Sequence, residues 1–323
     1  MNPGSQFLPS AAVACFLALA PVARAAQRVV AYAPNWGDPV ALSGSIDFPK
    51  LTHLNIAFEN PLNERGDLSF NAKDQALIDK AKAANVKVFV SIGGGSASEN
   101  RAQRARYFRL ISKSKRTAFV GQLVAYVTAH GFDGLDVDLE GDAINADYGA
   151  FIAELSKALS AKGKSLTAAL SGGNGGDRVP DAAFASFEFV NIMAYDATGP
   201  WEPKVPGQHS SVEFAKASII YWLDRGLPKS KAVLGVPFYG YGFGKAFRND
   251  GYSYAEIVAT YPGAENLDQV GSTIWYNGVP TIREKARYVV DQALGGLMIW
   301  SVDSDAKGDK SLLSAIHGVL TGP

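Results

Sequence analysis

Phe132-Asp133-Gly134-Leu135-Asp136-Val137-Asp138-Leu139-Glu140 is the stretch that decides how this chain folds. Successive side chains of a β-strand point to opposite faces. Asp136, Asp138 and Glu140 therefore share one face, with neighbours about 7 Å apart at about 3.3 Å rise per residue. Leu135, Val137 and Leu139 share the other. A solvated edge strand would not explain so apolar an alternate face. The pattern suits a strand with helices packed outside it and a confined polar space inside. Carboxylates crowded into such a space cannot all ionise cheaply, because like charge and burial raise at least one pKa. One of them then keeps a proton near neutrality, which is what a general acid requires. Carboxylates alone would also admit a Mg or Ca site or a salt-bridge site. Asp133, which opens the strand, is read as structural.

Working outward, further strand-like runs rich in Val, Ile, Phe and Leu fall at 28–32, 51–58, 86–92, 165–170, 187–194, 232–238 and 296–301. Several are apolar on both faces, as in a buried parallel sheet. Helical periodicity separates them. Tyr148, Phe151, Ile152, Leu155 and Leu159 make one apolar stripe, and Phe119, Leu123, Tyr126 and Val127 make another. Ile219, Tyr221, Trp222 and Leu223 are less regular, with Trp222 read as core, and 282–293 and 311–320 supply two more helices. Gly131, Gly226 and Gly295 stand where a helix end needs a left-handed residue. Eight strands alternating with helices predict a single (β/α)8 TIM barrel, an α/β fold of typically about 250 residues. A doubly wound open sheet competes, but no Gly-rich nucleotide loop follows the first strand. In barrels catalytic groups sit at the C-terminal strand ends, and Glu140 is the last of its row.

Composition narrows the function. The chain has 323 residues, 31 basic and 31 acidic side chains, one Cys and 47% hydrophobic residues. This balance argues against nucleic-acid binding and disorder, and one Cys with four His builds no Cys-rich zinc site. Residues 1–25 read as a secretory signal peptide: 11–22 is almost wholly apolar and Ala23-Arg24-Ala25 is a small-residue cleavage pattern. Cys15 lies in that leader. The barrel would occupy 26–323, and the mature chain is expected to be secreted, extracellular or periplasmic, with no membrane attachment, no cofactor and a monomeric state.

The acidic strand also carries a resemblance. Asp133 to Glu140, D-G-L-D-V-D-L-E, resembles the D-x-x-D-x-D-x-E signature of glycoside hydrolase family 18, the chitinases and their relatives. Ser91-Ile92-Gly93-Gly94 resembles the S-x-G-G of the family's third strand. Met193-Ala194-Tyr195-Asp196, continuing to Gly199-Pro200-Trp201, resembles its sixth. Gly235 to Gly240 and Gly296 to Trp300 resemble its seventh and eighth. The resemblance implies retaining hydrolysis of β-1,4 bonds beside N-acetylglucosamine, with the substrate's own N-acetyl oxygen as nucleophile. It implies Glu140 as acid and then base, Asp138 as the group that orients the N-acetyl, and Asp136 as sharing a proton with Asp138. Tyr195 would donate to the N-acetyl oxygen. Asp196 would contact sugar hydroxyls or the intermediate, and Tyr32 and Ser91 would hydrogen-bond the inner aspartate. Trp300 would floor the cleaved sugar and Trp201 the leaving side. Trp36, Phe58, Met193 and Tyr239 are further expected substrate contacts.

Two departures stand out. Many processive relatives place a Trp after the S-x-G-G segment, whereas this chain has Gly95. Deep-cleft relatives insert a small α+β domain after the seventh strand, and the segment between Gly240 and Thr281 is too short for it. A shallower cleft with endo-type cutting is expected. The motifs leave open an endo-β-N-acetylglucosaminidase acting on N-glycans, or a peptidoglycan substrate. They also leave open, from another class, a chitinase-like lectin, although lectins of this kind typically lose the acid that Glu140 supplies.

Overall fold

The computed structural model describes residue 1 and residues 27–322, so the expected leader, with Cys15, lies outside the described residues apart from Met1. Seven strands come first: β1 (Arg28–Pro34), β2 (His53–Ala57), β3 (Lys87–Gly93), β4 (Gly134–Asp138), β5 (Ser165–Leu170), β6 (Val190–Ile192) and β7 (Ala232–Pro237). Short strands β8 (Tyr239–Gly242), β9 (Tyr252–Ser253), β10 (Gln269–Val270) and β11 (Ile274–Trp275) follow, and β12 (Gly296–Trp300) is last. β1 to β7 and β12 pair in parallel and close as β1-β12-β7-β6-β5-β4-β3-β2, the predicted barrel.

The helices outside it are α1 (Pro39–Ser43), α2 (Gln75–Ala83), α3 (Gly95–Glu99), α4 (Arg101–Ile111), α5 (Arg116–Ala129), α6 (Tyr148–Ser160), α7 (Val212–Asp224), α8 (Tyr254–Thr260), α9 (Val279–Asp291) and α10 (Leu312–Thr321). The stripe on α6 is buried along its whole length, and Trp222 on α7 is fully buried as core. α2 and α4 escape periodicity analysis: α4 buries only Tyr107, Leu110 and Ile111 among charged neighbours. No α-helix joins β5 to β6. Gly172, Gly173, Gly175, Gly176 and Pro180 crowd that link, and it folds as 3₁₀ turns instead. Gly131 and Gly226 have the expected left-handed conformation (φ 68° and 94°), but after α9 that residue is Ala293 (φ 53°), not Gly295. Gly295 answers a different need, since a Cβ there would stand 2.5 Å from the Ser230 carbonyl oxygen.

Two cores result. The larger lies between strands and helices and takes Leu135, Val137 and Leu139 from the outer face of the acidic strand. The smaller fills the barrel with Val30, Tyr32, Ala57, Phe189, Val233 and Met298, reaching Met193 and Tyr195 near the mouth. The β7–α9 connection holds no inserted domain. It folds as a small sheet ordered β10-β11-β8-β9 with α8, at the rim of the barrel.

Candidate active site

The barrel interior binds Asp136 from several sides. Register places Ser91 of β3 and Thr167 of β5 directly beside it. Tyr32 Oη and Ser91 Oγ each donate to Asp136 Oδ2 at 2.7 Å, and Thr167 Oγ1 donates to Oδ1 at 2.6 Å. Asn191 Nδ2 donates to Tyr32 Oη at 3.1 Å and more weakly to Asp136 Oδ1 at 3.4 Å. Burial pushes this carboxyl up while the donors pull it down, and it stays above the ordinary carboxylate range. Its oxygens are occupied by these donors, and among the described residues no hydrogen bond joins it to Asp138. The Asp138 carboxyl lies within hydrogen-bonding reach of Glu140.

Asp138 is buried, and burial, then Glu140, then Asp136 hold its carboxyl well above the ordinary range. Its Oδ1 is buried without a hydrogen-bond partner among the described residues. Glu140 stands past the end of β4, half-buried at the mouth, where burial pushes it up to about 7. Asn174 Nδ2, from the loop after β5, donates to Glu140 Oε2 at 3.2 Å. Asp133 is structural, accepting from the Val88 amide at 2.8 Å.

Past β6 the chain carries Met193, Tyr195 and Asp196 into the cleft. Burial and the surrounding carboxyls push the Tyr195 phenol well up, so it stays a neutral donor. Asp196 has a left-handed backbone (φ 63°), which Asp tolerates better than most residues. Its Oδ1 accepts from Tyr239 Oη at 2.5 Å and Tyr241 Oη at 3.1 Å, and lies 3.3 Å from Nδ1 of the fully buried His209.

The cleft has a volume of about 650 Å³. Of the expected contacts, Tyr32, Phe58, Asp138, Glu140, Met193, Tyr195, Asp196, Trp201 and Trp300 line it. Ser91 does not: it is fully buried under Asp136 and supports that carboxyl instead of touching a ligand. Tyr239 stands behind Asp196 with its hydroxyl committed there. Trp36 is 67% exposed at the rim, stacked on Phe58 with centroids 6.5 Å apart. Trp300 stacks on Phe58 at 5.6 Å and tilts against Tyr32 at 5.5 Å, so its indole is braced from the rim and from inside the barrel. Trp201 is 55% exposed and packs edge-on against Tyr241. Thr167, Asn174, His209, Tyr241 and Glu99 join the site without any motif marking them. Thr167 alone had a signal, the inward alternation of its strand.

Comparison with known proteins agrees with this geometry. The family model described as Glycosyl hydrolases family 18 matches residues 28–305. The chain is 28% identical to the endochitinase of Brugia malayi over 90% of its own length and 72% of that protein's. It is 28% identical to the probable chitinase 10 of Drosophila melanogaster over 88% of its own length, but spans only 15% of that much longer protein. Among solved structures, the GH18 chitinase ChiB from the chitin utilization locus of Flavobacterium johnsoniae superposes with a TM-score of 0.85 at 40% identity, covering 91% of this chain and 94% of that one. The chain belongs to glycosyl hydrolase family 18, as a chitinase-type glycoside hydrolase on one (β/α)8 barrel without the inserted domain.

Proposed function

We propose that this enzyme is exported and cleaves the β-1,4 bonds of N-acetylglucosamine polymers, chitin or chitooligosaccharides, with retention and with the substrate's N-acetyl oxygen as nucleophile. The observation that carries the reading is the graded acid row. Asp136 is fixed by side-chain donors, Asp138 is buried with one oxygen unpartnered, and Glu140 at the mouth is held near 7 by burial. Glu140 gives its proton to the leaving oxygen and then takes one from water. Asp138 turns its unpartnered oxygen to the N-acetyl N–H and offers negative charge to the oxazolinium-type intermediate. Tyr195 donates to the N-acetyl oxygen and holds it near the anomeric carbon. The Trp300 indole, braced by Phe58 and Tyr32, stacks on the apolar face of that sugar.

Cleft charge favours this substrate over peptidoglycan. The lining carries the carboxyls of Glu99, Asp138, Glu140 and Asp196 and, among the described residues, no Lys, Arg or His. Such a lining offers no basic partner to the carboxylates of peptidoglycan and accepts an uncharged glycan. The lectin reading finds no support in this site, because the acid, its neighbouring aspartate and Tyr195 are all in place. Gly95 lines the cleft where processive relatives place a Trp, which supports endo-type cutting.

A mass-spectrometric product screen tests the reading. Chitin oligomers, a high-mannose glycopeptide and peptidoglycan are offered in parallel, with early time points on a long chitin chain. Chitin oligomers alone should be cut, and the first products should span several lengths. Release from the glycopeptide or peptidoglycan alone would contradict the substrate. Dimer as the dominant first product would contradict the endo-type mode.

A further inference from the structure

We propose that Asn174 is a positioning residue for the Glu140 carboxyl, held in place by a glycine clasp between the end of β4 and the loop after β5. The inference rests on the reading of Glu140 as the acid.

Glu140 lies beyond the last paired residue of β4 and is not fixed by the sheet. Asp138 lies within hydrogen-bonding reach of its carboxyl, and Asn174 Nδ2 meets Oε2 at 3.2 Å. Asn174 is exposed and flanked by Gly172, Gly173, Gly175 and Gly176, so nothing local gives it a fixed place. The fixing comes from the catalytic strand. The Gly141 amide, next to Glu140 in sequence, donates to the Asn174 carbonyl at 3.0 Å. Both Gly141 (φ 50°) and Gly175 (φ 79°) have left-handed backbones. A Cβ on Gly175 would stand 2.7 Å from the Gly141 carbonyl oxygen, and one on Gly141 would stand 2.6 Å from Asn174 Oδ1. The two segments approach this closely only as glycines. Arg178 donates to the Gly141 carbonyl at 3.1 Å and to Asp142 at 2.9 Å, and Arg225 donates to the Gly176 carbonyl at 2.6 Å, closing the clasp from outside.

The chemistry needs such a holder. A carboxyl that serves first as acid and then as base must keep one orientation through both steps, and a misplacement of about 1 Å can cost about a hundredfold in rate. The Asn174 amide donor also favours the ionised form. Its own burial, Asp196 beyond β6 and Glu99 on α3 work against ionisation, whereas the hydrogen bonds with Asn174 and, more weakly, Asp138 favour it. With no basic side chain in the lining among the described residues, the Asn174 amide is the larger of these two counterweights.

The test compares wild type, Asn174→Ala and Asn174→Asp in the full chain, with kcat and KM on a chitooligosaccharide measured across pH. Glu140 must be protonated to act as acid, so activity falls as pH rises through its pKa, and loss of the donor moves that alkaline limb upward. Asn174→Ala should lower kcat about tenfold, leave KM within about twofold and shift the limb up by about half a unit. Asn174→Asp, close in shape but without the donor and with added negative charge, should shift it further. Gly175→Ala should reproduce the loss of kcat by opening the clasp. A limb coincident with wild type in both Asn174 variants overturns the proposal, whatever happens to the rate, because a merely structural residue lowers activity without moving it. Glu140→Gln runs alongside. If it stays active, the acid assignment has failed. If it is inactive and the limbs coincide, only the role of Asn174 has failed.

Discussion

Replacing Glu140 by Gln should lower turnover of a chitooligosaccharide by about a thousandfold or more while leaving its binding within about twofold. The amide has the shape of the acid but no proton to give to the leaving oxygen, and it cannot take one from water afterwards. Its carbonyl can still accept from Asn174, which now meets Oε2 at 3.2 Å, so the local fold should hold. In the proposed function affinity rests elsewhere, on the Trp300 indole that lines the cleft. Isothermal titration beside initial rates separates the two effects. Undiminished turnover would remove Glu140 from the chemistry, and a parallel loss of binding would make it a binding residue.

Asp138→Asn should cost about a hundredfold or more in kcat. The present carboxyl is held well up by burial and by Glu140 and Asp136, and it lies within hydrogen-bonding reach of Glu140. As positive charge develops on the substrate the group becomes useful as an anion, which an amide cannot become. Asn also changes what Glu140 faces, since a neighbouring carboxyl is replaced by a neutral amide. The alkaline limb should therefore move together with the fall in kcat, and KM should change little. A variant with near wild-type kcat would contradict the assignment.

What the sequence revealed follows from which interactions are local. The row Asp136, Asp138, Glu140 was legible because the period of a strand places them on one face, and Leu135, Val137 and Leu139 are buried on the other as expected. Barrel closure followed from the count of apolar runs. Thr167 was not legible as a partner of Asp136, because that contact depends on the pairing of β4 with β5. His209 and Tyr241 reach Asp196 from a loop and from the small sheet, neither of which has a periodic signal. Asn174 was hidden among glycines that read as a loop, although those glycines are what allow it to reach the acid. Tyr239 was placed correctly near the site but one layer too far forward, since its hydroxyl is committed to Asp196. The cis peptide bonds Ala57–Phe58 and Trp300–Ser301 involve no proline, so no residue type announced them.

In the proposed function the substrate's N-acetyl oxygen, held by Tyr195 and Asp138, makes the first bond to the anomeric carbon. The most direct measurement is kcat/KM on a β-1,4 N-acetylglucosamine tetramer against the same tetramer with the N-acetyl group replaced by hydroxyl at the cleaved sugar. Turnover of the first, with none detectable for the second, is the predicted result. Comparable turnover of both would show that an enzyme carboxylate or water attacks instead, and would contradict the account.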